Sequence, residues 1–189
     1  MGRKKKVVET QQEKDNNINI SGGQKYTGNV SVRLVKNGKT VQNINKHNSG
    51  YKPLFDFLIG CLASNYNNGV GIPQYLELGY TYNDNYIKLI NNPILKASSF
   101  ISTNSQHGVP QVNYQFTVPT VLLMEENTAI SDNKLTVNTF RLYSSNNIGV
   151  ENGMSADIIL DDNDKIEIPI SDLQKYTMFI TWSLYISNN

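Results

Sequence analysis

The chain reads as a mainly β protein: an antiparallel β-sandwich of jelly-roll-like kind, with one embedded α-helix at about residues 53–64. Three observations predict it. Apolar and polar side chains alternate with period two in several runs, most clearly over Val112–Val118 and Met178–Ile186. Between the runs stand turn-forming residues, with 26 asparagines, about one residue in seven. A single stretch, Pro53–Ser64 (PLFDFLIGCLAS), instead carries apolar residues at helical spacing. At 189 residues the chain suits one domain, able to bury roughly 70% of its unfolded surface.

In chain order, residues 1–25 carry few apolar side chains and include Ser21-Gly22-Gly23, which predicts an N-terminal arm, with the β domain over 26–189. Val30, Val32 and Leu34 alternate with Ser31 and Arg33, Asn37-Gly38 offers a tight turn, and Thr40–Ile44 returns as the second strand of a hairpin. Lys46–Gly50 reads as a polar bridge into the helix. Pro53 suits a first helical turn, where its missing N–H has no partner to lose. Leu54, Leu58, Cys61 and Leu62 share a stripe that Phe55, Phe57 and Ile59 widen, so this helix needs cover on most sides.

Residues 65–71 (NYNNGVG) predict a loop. Pro73 opens a strand with Leu76, Leu78 and Tyr80 on one face, and Tyr82–Asn92 reads as a long loop or an exposed edge. Ile94–Ser102 is a further strand. The Val112–Val118 strand meets a break or an edge at Pro119, and Val121–Met124 continues apolar. Leu135–Tyr143 changes its apolar face between Val137 and Phe140, which predicts a bulge. Ala156–Leu160 and Lys165–Ile170 flank DDND and read together as a hairpin. In the last run Met178, Ile180, Trp182, Leu184 and Ile186 share one face while Phe179, Thr181, Ser183 and Tyr185 take the other, which places this strand centrally. The expectation is about eight or nine strands, with no internal repeat.

Composition excludes several function classes. Seventeen basic and 16 acidic residues leave a formal charge of +1, which gives no whole-molecule reason to bind nucleic acid. The Asn-rich, Lys-over-Arg, Tyr-rich usage is what an AT-rich genome encodes. Cys61 is the single cysteine, so no intrachain disulfide forms, and a buried small hydrophobe is its preferred role. The start, MGRKKKVVETQQ, has no apolar core for a signal peptide, and Lys6 breaks the Gly2 myristoylation pattern. No run approaches ~18 apolar residues, so no membrane span is expected, and the setting is a reducing cytoplasm.

No catalytic, cofactor or metal site is expected. His47 and His107 each read as lying in a polar loop, and neither has a Cys, Asp or Glu at metal-ligand spacing. Asp161-Asp162-Asn163-Asp164, with Glu167 nearby, offers oxygen ligands for calcium but lacks the glycine of an EF-hand loop, so a hairpin tip is preferred. Gly69-Val70-Gly71 follows the helix instead of a strand and lacks the Gly-Lys-Ser/Thr of a phosphate loop. There is no Gly-x-Ser-x-Gly and no His-Glu-x-x-His. Two candidate contact regions remain. Arg3, Lys4, Lys5 and Lys6 form a basic arm for a neighbouring protein, with non-specific nucleic-acid contact as a second use. Tyr80, Tyr82 and Tyr86 sit among Asn and Asp, where a polar loop with partly buried rings is preferred and a carbohydrate or host contact surface is the alternative.

Three landmarks occur in fixed order: KHNSGYKPLFDFLIGCLASNYN (Lys46–Asn67) after a strand hairpin, IPQYLELGY (Ile72–Tyr80), and the aromatic strand ITWSLYISN (Ile180–Asn188). Together they resemble small accessory virion proteins of tailed bacteriophages, including crAss-like and other AT-rich phages. The resemblance spans most of residues 26–189 and consists of packing patterns, with no catalytic signature. It implies a structural, non-enzymatic protein without cofactor, present in many copies on the capsid or at the head–tail region. Major capsid, portal or tail proteins would be its neighbours, met through the arm and edge strands of particles assembled in the bacterial cytoplasm. The alternative is a receptor- or glycan-binding tail domain using Tyr82–Asn92, and a small metal-dependent hydrolase at Asp161–Asp164 comes third.

Overall fold

The computed structural model describes residues 19–20, 24–49, 75–89, 94–103, 108–124, 130–131, 133–143 and 157–188. Within them the chain is mainly β, with fourteen strand segments, four of them only two residues long. The expected helix over 53–64, Cys61, the 65–71 loop, His107 and the basic arm lie outside the described residues.

The largest sheet is built on the last strand. β14 (Tyr176–Asn188) pairs antiparallel with β2 (Gln24–Lys36) on one side and with β8 (Pro110–Pro119) on the other, so it is central as its two-sided pattern predicts. β3 (Lys39–Ser49) lies outside β2, and β7 (Ser98–Thr103) lies outside β8. β1 (Asn19–Ile20) pairs with the start of β2, so strand pairing begins ahead of position 26. β2 and β3 form the predicted hairpin: Asn37 and Gly38 take φ of 48° and 79°, as a type I′ turn requires. β3 runs on to Ser49, so Lys46–Ser49 is strand and not a bridge, and His47 lies in that strand. Its pairing with residues 27–30 of β2 accounts for the extension, since a polar edge strand costs little when its outward side is solvated.

Two smaller sheets complete the sandwich-like fold. One orders β12 (Ile158–Ile159), β11 (Thr139–Tyr143), β4 (Tyr75–Tyr82) and β5 (Asn85–Lys88), with β6 (Ile94–Leu95) also on β4. The other orders β13 (Ile166–Pro169), β10 (Lys134–Val137) and β9 (Ile130–Ser131). The Ile94–Ser102 run is divided, its first part on β4 and its second on β8. The run expected at Leu135–Tyr143 is likewise shared, and it breaks at Asn138 between two residues fully buried in the core, Val137 and Phe140.

That break corrects the expected hairpin around DDND. β12 pairs with β11 and β13 with β10, so the two runs belong to different sheets and the acidic turn links sheets. For Tyr82–Asn92, expected as a long loop or an exposed edge, the described residues 82–89 give the edge. β4 continues through Tyr82, Asn83 and Asp84 turn with φ of 47° and 62°, and β5 returns as an edge strand. Left-handed Asn and Asp suffice for a two-residue hairpin where the sequence offers no Gly. After Pro119 the chain makes a 3-10 turn, Thr120–Met124, which buries Leu123 and leaves Val121 and Leu122 exposed.

All three sheets share one buried cluster. Val30, Val32, Ile180, Trp182 and Phe116 come from the large sheet, Leu76, Leu78 and Phe140 from the second, and Leu135 and Ile166 from the third. The registers place Ile44, Val32, Ile180 and Phe116 in one row across four strands of the large sheet. Such cross-strand apolar rows are what fix a register, because a one-residue slip would turn the whole row to solvent.

Candidate functional site

The three tyrosines singled out by the sequence separate across a sheet. Tyr80 and Tyr82, two residues apart, share a face of β4, and their rings stack at 6.2 Å with 18° between planes. Tyr82 is 61% exposed. Tyr86 pairs with Thr81, the residue between them, so it points to the opposite face. There its ring lies over Gly79, where any side chain would collide with it. Its hydroxyl donates to Glu77 Oε1 at 2.6 Å, and the Arg141 guanidinium sits 3.6 Å over the ring.

Beneath Tyr86 is a polar cluster that sequence reasoning missed. Glu77 is 1% exposed in the middle of an otherwise apolar strand. Arg141, opposite Glu77 in the register, sends Nη1 to within 3.5 Å of Glu77 Oε1 and places Nε and Nη2 each 2.7 Å from Asp157 Oδ2. Burial and the Glu77 hydrogen bond push the Tyr86 phenol far above its ordinary range. Tyr143 is pushed up to about 12, by burial first and the Glu77 charge second. Burial opposes the charge on Arg141, and the Asp157 hydrogen bond and charge outweigh it, so its pKa rises. Phenols held protonated and a guanidinium held between two carboxylates suit fastening β4, β5 and β11 together better than moving protons. The only signal in the sequence was register: Glu77 and Arg141 reveal themselves as a pair once β4 and β11 are known to be neighbours.

The acidic turn is likewise tied up internally. Asp161 Oδ1 accepts from the backbone N–H of Asn163 at 3.0 Å and of Asp164 at 3.1 Å, and the Asn163 bond leads in holding its carboxyl below the usual range. Lys46 on β3 reaches Asp161 at 3.4 Å and Asp164 at 2.6 Å. Lys165 meets Asp162 at 3.4 Å and Glu167 at 3.3 Å. Among the described residues no group of three or more His, Cys, Asp and Glu gathers as metal ligands.

The outward face of the large sheet carries a field of polar side chains. Its residues fall in rows across the strands: Asn43, Arg33, Phe179 and Thr117, then Asn45, Ser31, Thr181, Gln115 and Ser98, then His47, Asn29, Ser183, Asn113 and Phe100. Toward the third row the polar groups are zipped to one another. Ser183 Oγ donates to Asn113 Oδ1 at 2.7 Å, Asn113 Nδ2 to Ser102 Oγ at 2.9 Å, and Gln111 Nε2 to Ser102 Oγ at 3.0 Å. Toward the first row the face opens into a cavity of about 260 Å³. There Arg33 lies 4.9 Å over the Phe179 ring. The sequence had set Phe179 and Thr181 together on one face of the last strand, and what it lacked was the pairing of β14 with β2 that sets Arg33 beside them.

At its rim this sheet ends in β7, SSFIST, which carries no charged side chain. Phe100 is 44% and Ile101 76% exposed, and among the described residues β7 has a strand partner, β8, on one side only. Among the described residues no helix is long and apolar enough to cross a membrane. Comparisons of the chain with protein-family models, with curated proteins and with solved structures find no match.

Proposed function

We propose that the protein is an auxiliary structural subunit of a bacteriophage particle, on the capsid or at the head–tail region, which binds neighbouring virion subunits by its β7 edge and its basic arm. The observation that carries this reading is β7 itself. Among the described residues no further strand pairs with this edge, and an edge with no Lys or Pro to blunt it and two large apolar side chains in water is a template for a strand from another subunit. Repetition in a symmetric shell makes such a contact sufficient even when each copy binds weakly.

The experiment is occupancy on purified particles. Ile101→Lys places a charge on the edge without touching the core, and the variant should fold normally but be depleted from particles. Deleting residues 2–18, which stops short of β1, should lower occupancy separately through Arg3, Lys4, Lys5 and Lys6. Wild-type occupancy for both variants removes the proposal. The alternative, receptor contact through Tyr82–Asn92, has the exposed Tyr80–Tyr82 stack in its favour. Tyr86 is engaged in the interior, so that alternative rests on Tyr82, and Tyr82→Ala alone is its test.

A further inference from the structure

We infer that the cavity on the outward face of the large sheet is a binding site for a carboxylate-bearing monosaccharide unit, a sialic or uronic acid. The site is separate from the β7 edge and goes beyond the assembly role.

The first ground is Arg33. It is exposed, it stands against the Phe179 ring, and among the described residues no carboxylate pairs with it. Several cations elsewhere are engaged by acids: Arg141 by Asp157, Lys46 by Asp164 and Lys36 by Asp172. An arginine held in place by stacking, with its fork unspent, is suited to bidentate capture of a carboxylate.

The second ground is the contrast along the face. Near Asn113 the hydroxyls and amides satisfy one another. Around the cavity Ser31, Asn43, Thr117 and Thr181 have no side-chain partner among the described residues, and Gln115 uses only Oε1, which accepts from Ser98 at 2.8 Å. These groups offer mixed donors and acceptors with no second charge, which matches a ring of hydroxyls better than a phosphate or a peptide acid. Phe179 adds an apolar wall for the C–H face of a sugar. A volume of about 260 Å³ takes one ring and leaves the rest of a glycan in solvent. The strands present adjacent rows about 7 Å apart along the chain and about 5 Å apart across it, so the groups lie within reach of one ring.

The test titrates the full chain with N-acetylneuraminic acid, galacturonic acid, methyl galactoside and acetate, followed by amide NMR shifts. The acid sugars should produce saturable shifts at millimolar concentration that cluster on residues 31–33, 115–117 and 179–181, and should bind at least about tenfold more tightly than methyl galactoside or acetate. Arg33→Gln should abolish that preference while the thermal midpoint stays near wild type. Asn43→Ala, on the edge strand β3, should weaken the acid sugars severalfold and serves as the deciding variant if Arg33→Gln does not fold. Equal binding of acetate and the acid sugars would reduce the cavity to a general anion contact and overturn the inference. So would equal binding of methyl galactoside, shifts located elsewhere, or no saturable shift.

Discussion

Asn138 uses its side chain as a stand-in for backbone. Where the run 134–143 leaves one sheet for another, its Oδ1 accepts from the Thr81 N–H at 2.7 Å and its Nδ2 donates to the Thr81 C=O at 2.8 Å. At 7% exposure these groups have little water to replace the lost partners, so Asn138→Ala should cost about 1–3 kcal/mol in urea unfolding. A change under about 0.5 kcal/mol would mean that Thr81 finds other partners. Gly79 is the other sensitive position, since a methyl group there meets the Tyr86 ring. Gly79→Ala should cost about 1–3 kcal/mol by overpacking, and much less in a Tyr86→Ala background, because the obstacle is that ring. Neither residue stood out in the sequence. A glycine or asparagine among so many others shows its role only when the strand beside it is known.

Among the elements, those whose two faces differ most were the most legible. β14 and β8 announce both faces by strict alternation, and the structure puts β14 in the centre with β8 beside it. Asn37-Gly38 announced its hairpin because two successive left-handed residues admit few sequences. Gly38→Ala should therefore cost about 1 kcal/mol, from backbone strain alone, since the added methyl meets nothing within 4 Å. Equilibrium unfolding checks this, and a neutral result would show that the turn relaxes to another type. The elements misread were those whose partners lie far away in sequence. Ala156–Leu160 and Lys165–Ile170 look like a hairpin locally, yet each has a better apolar partner in a different sheet. The cavity residues share this difficulty, because Arg33 and Phe179 are 146 positions apart and only the β2–β14 register joins them.

At the scale of the whole molecule, ion pairs both join strands within sheets and tie turns to them, and their titration bounds the pH range of the fold. Asp172 lies between Lys175 and Lys36, each at 2.7 Å, and is lowered to about 2 by hydrogen bonds from Lys175 first and Lys36 second. Glu167 is lowered by Lys134 and then Lys165, and Asp161 by its turn amides. A carboxyl with a depressed folded pKa stabilises fully above its unfolded value, 3.8 for Asp172, and that contribution is lost as pH falls through the folded value. Tyr143 sets the opposite limit: raised from 10.0 to about 12, it stabilises fully below pH 10 and loses that contribution as pH rises toward 12. Urea midpoints measured from pH 2 to pH 12 should thus show a plateau between about pH 5 and pH 9, falling on both flanks. Asp172→Asn should flatten the acid flank and leave the alkaline flank unchanged, while Tyr143→Phe should do the reverse. The two flanks draw on different parts of the sandwich, the 3-10 turn Ile170–Lys175 that leads into β14 and the buried polar cluster of β4 and β11, so a variant that moved both would show that the layers titrate as one coupled unit.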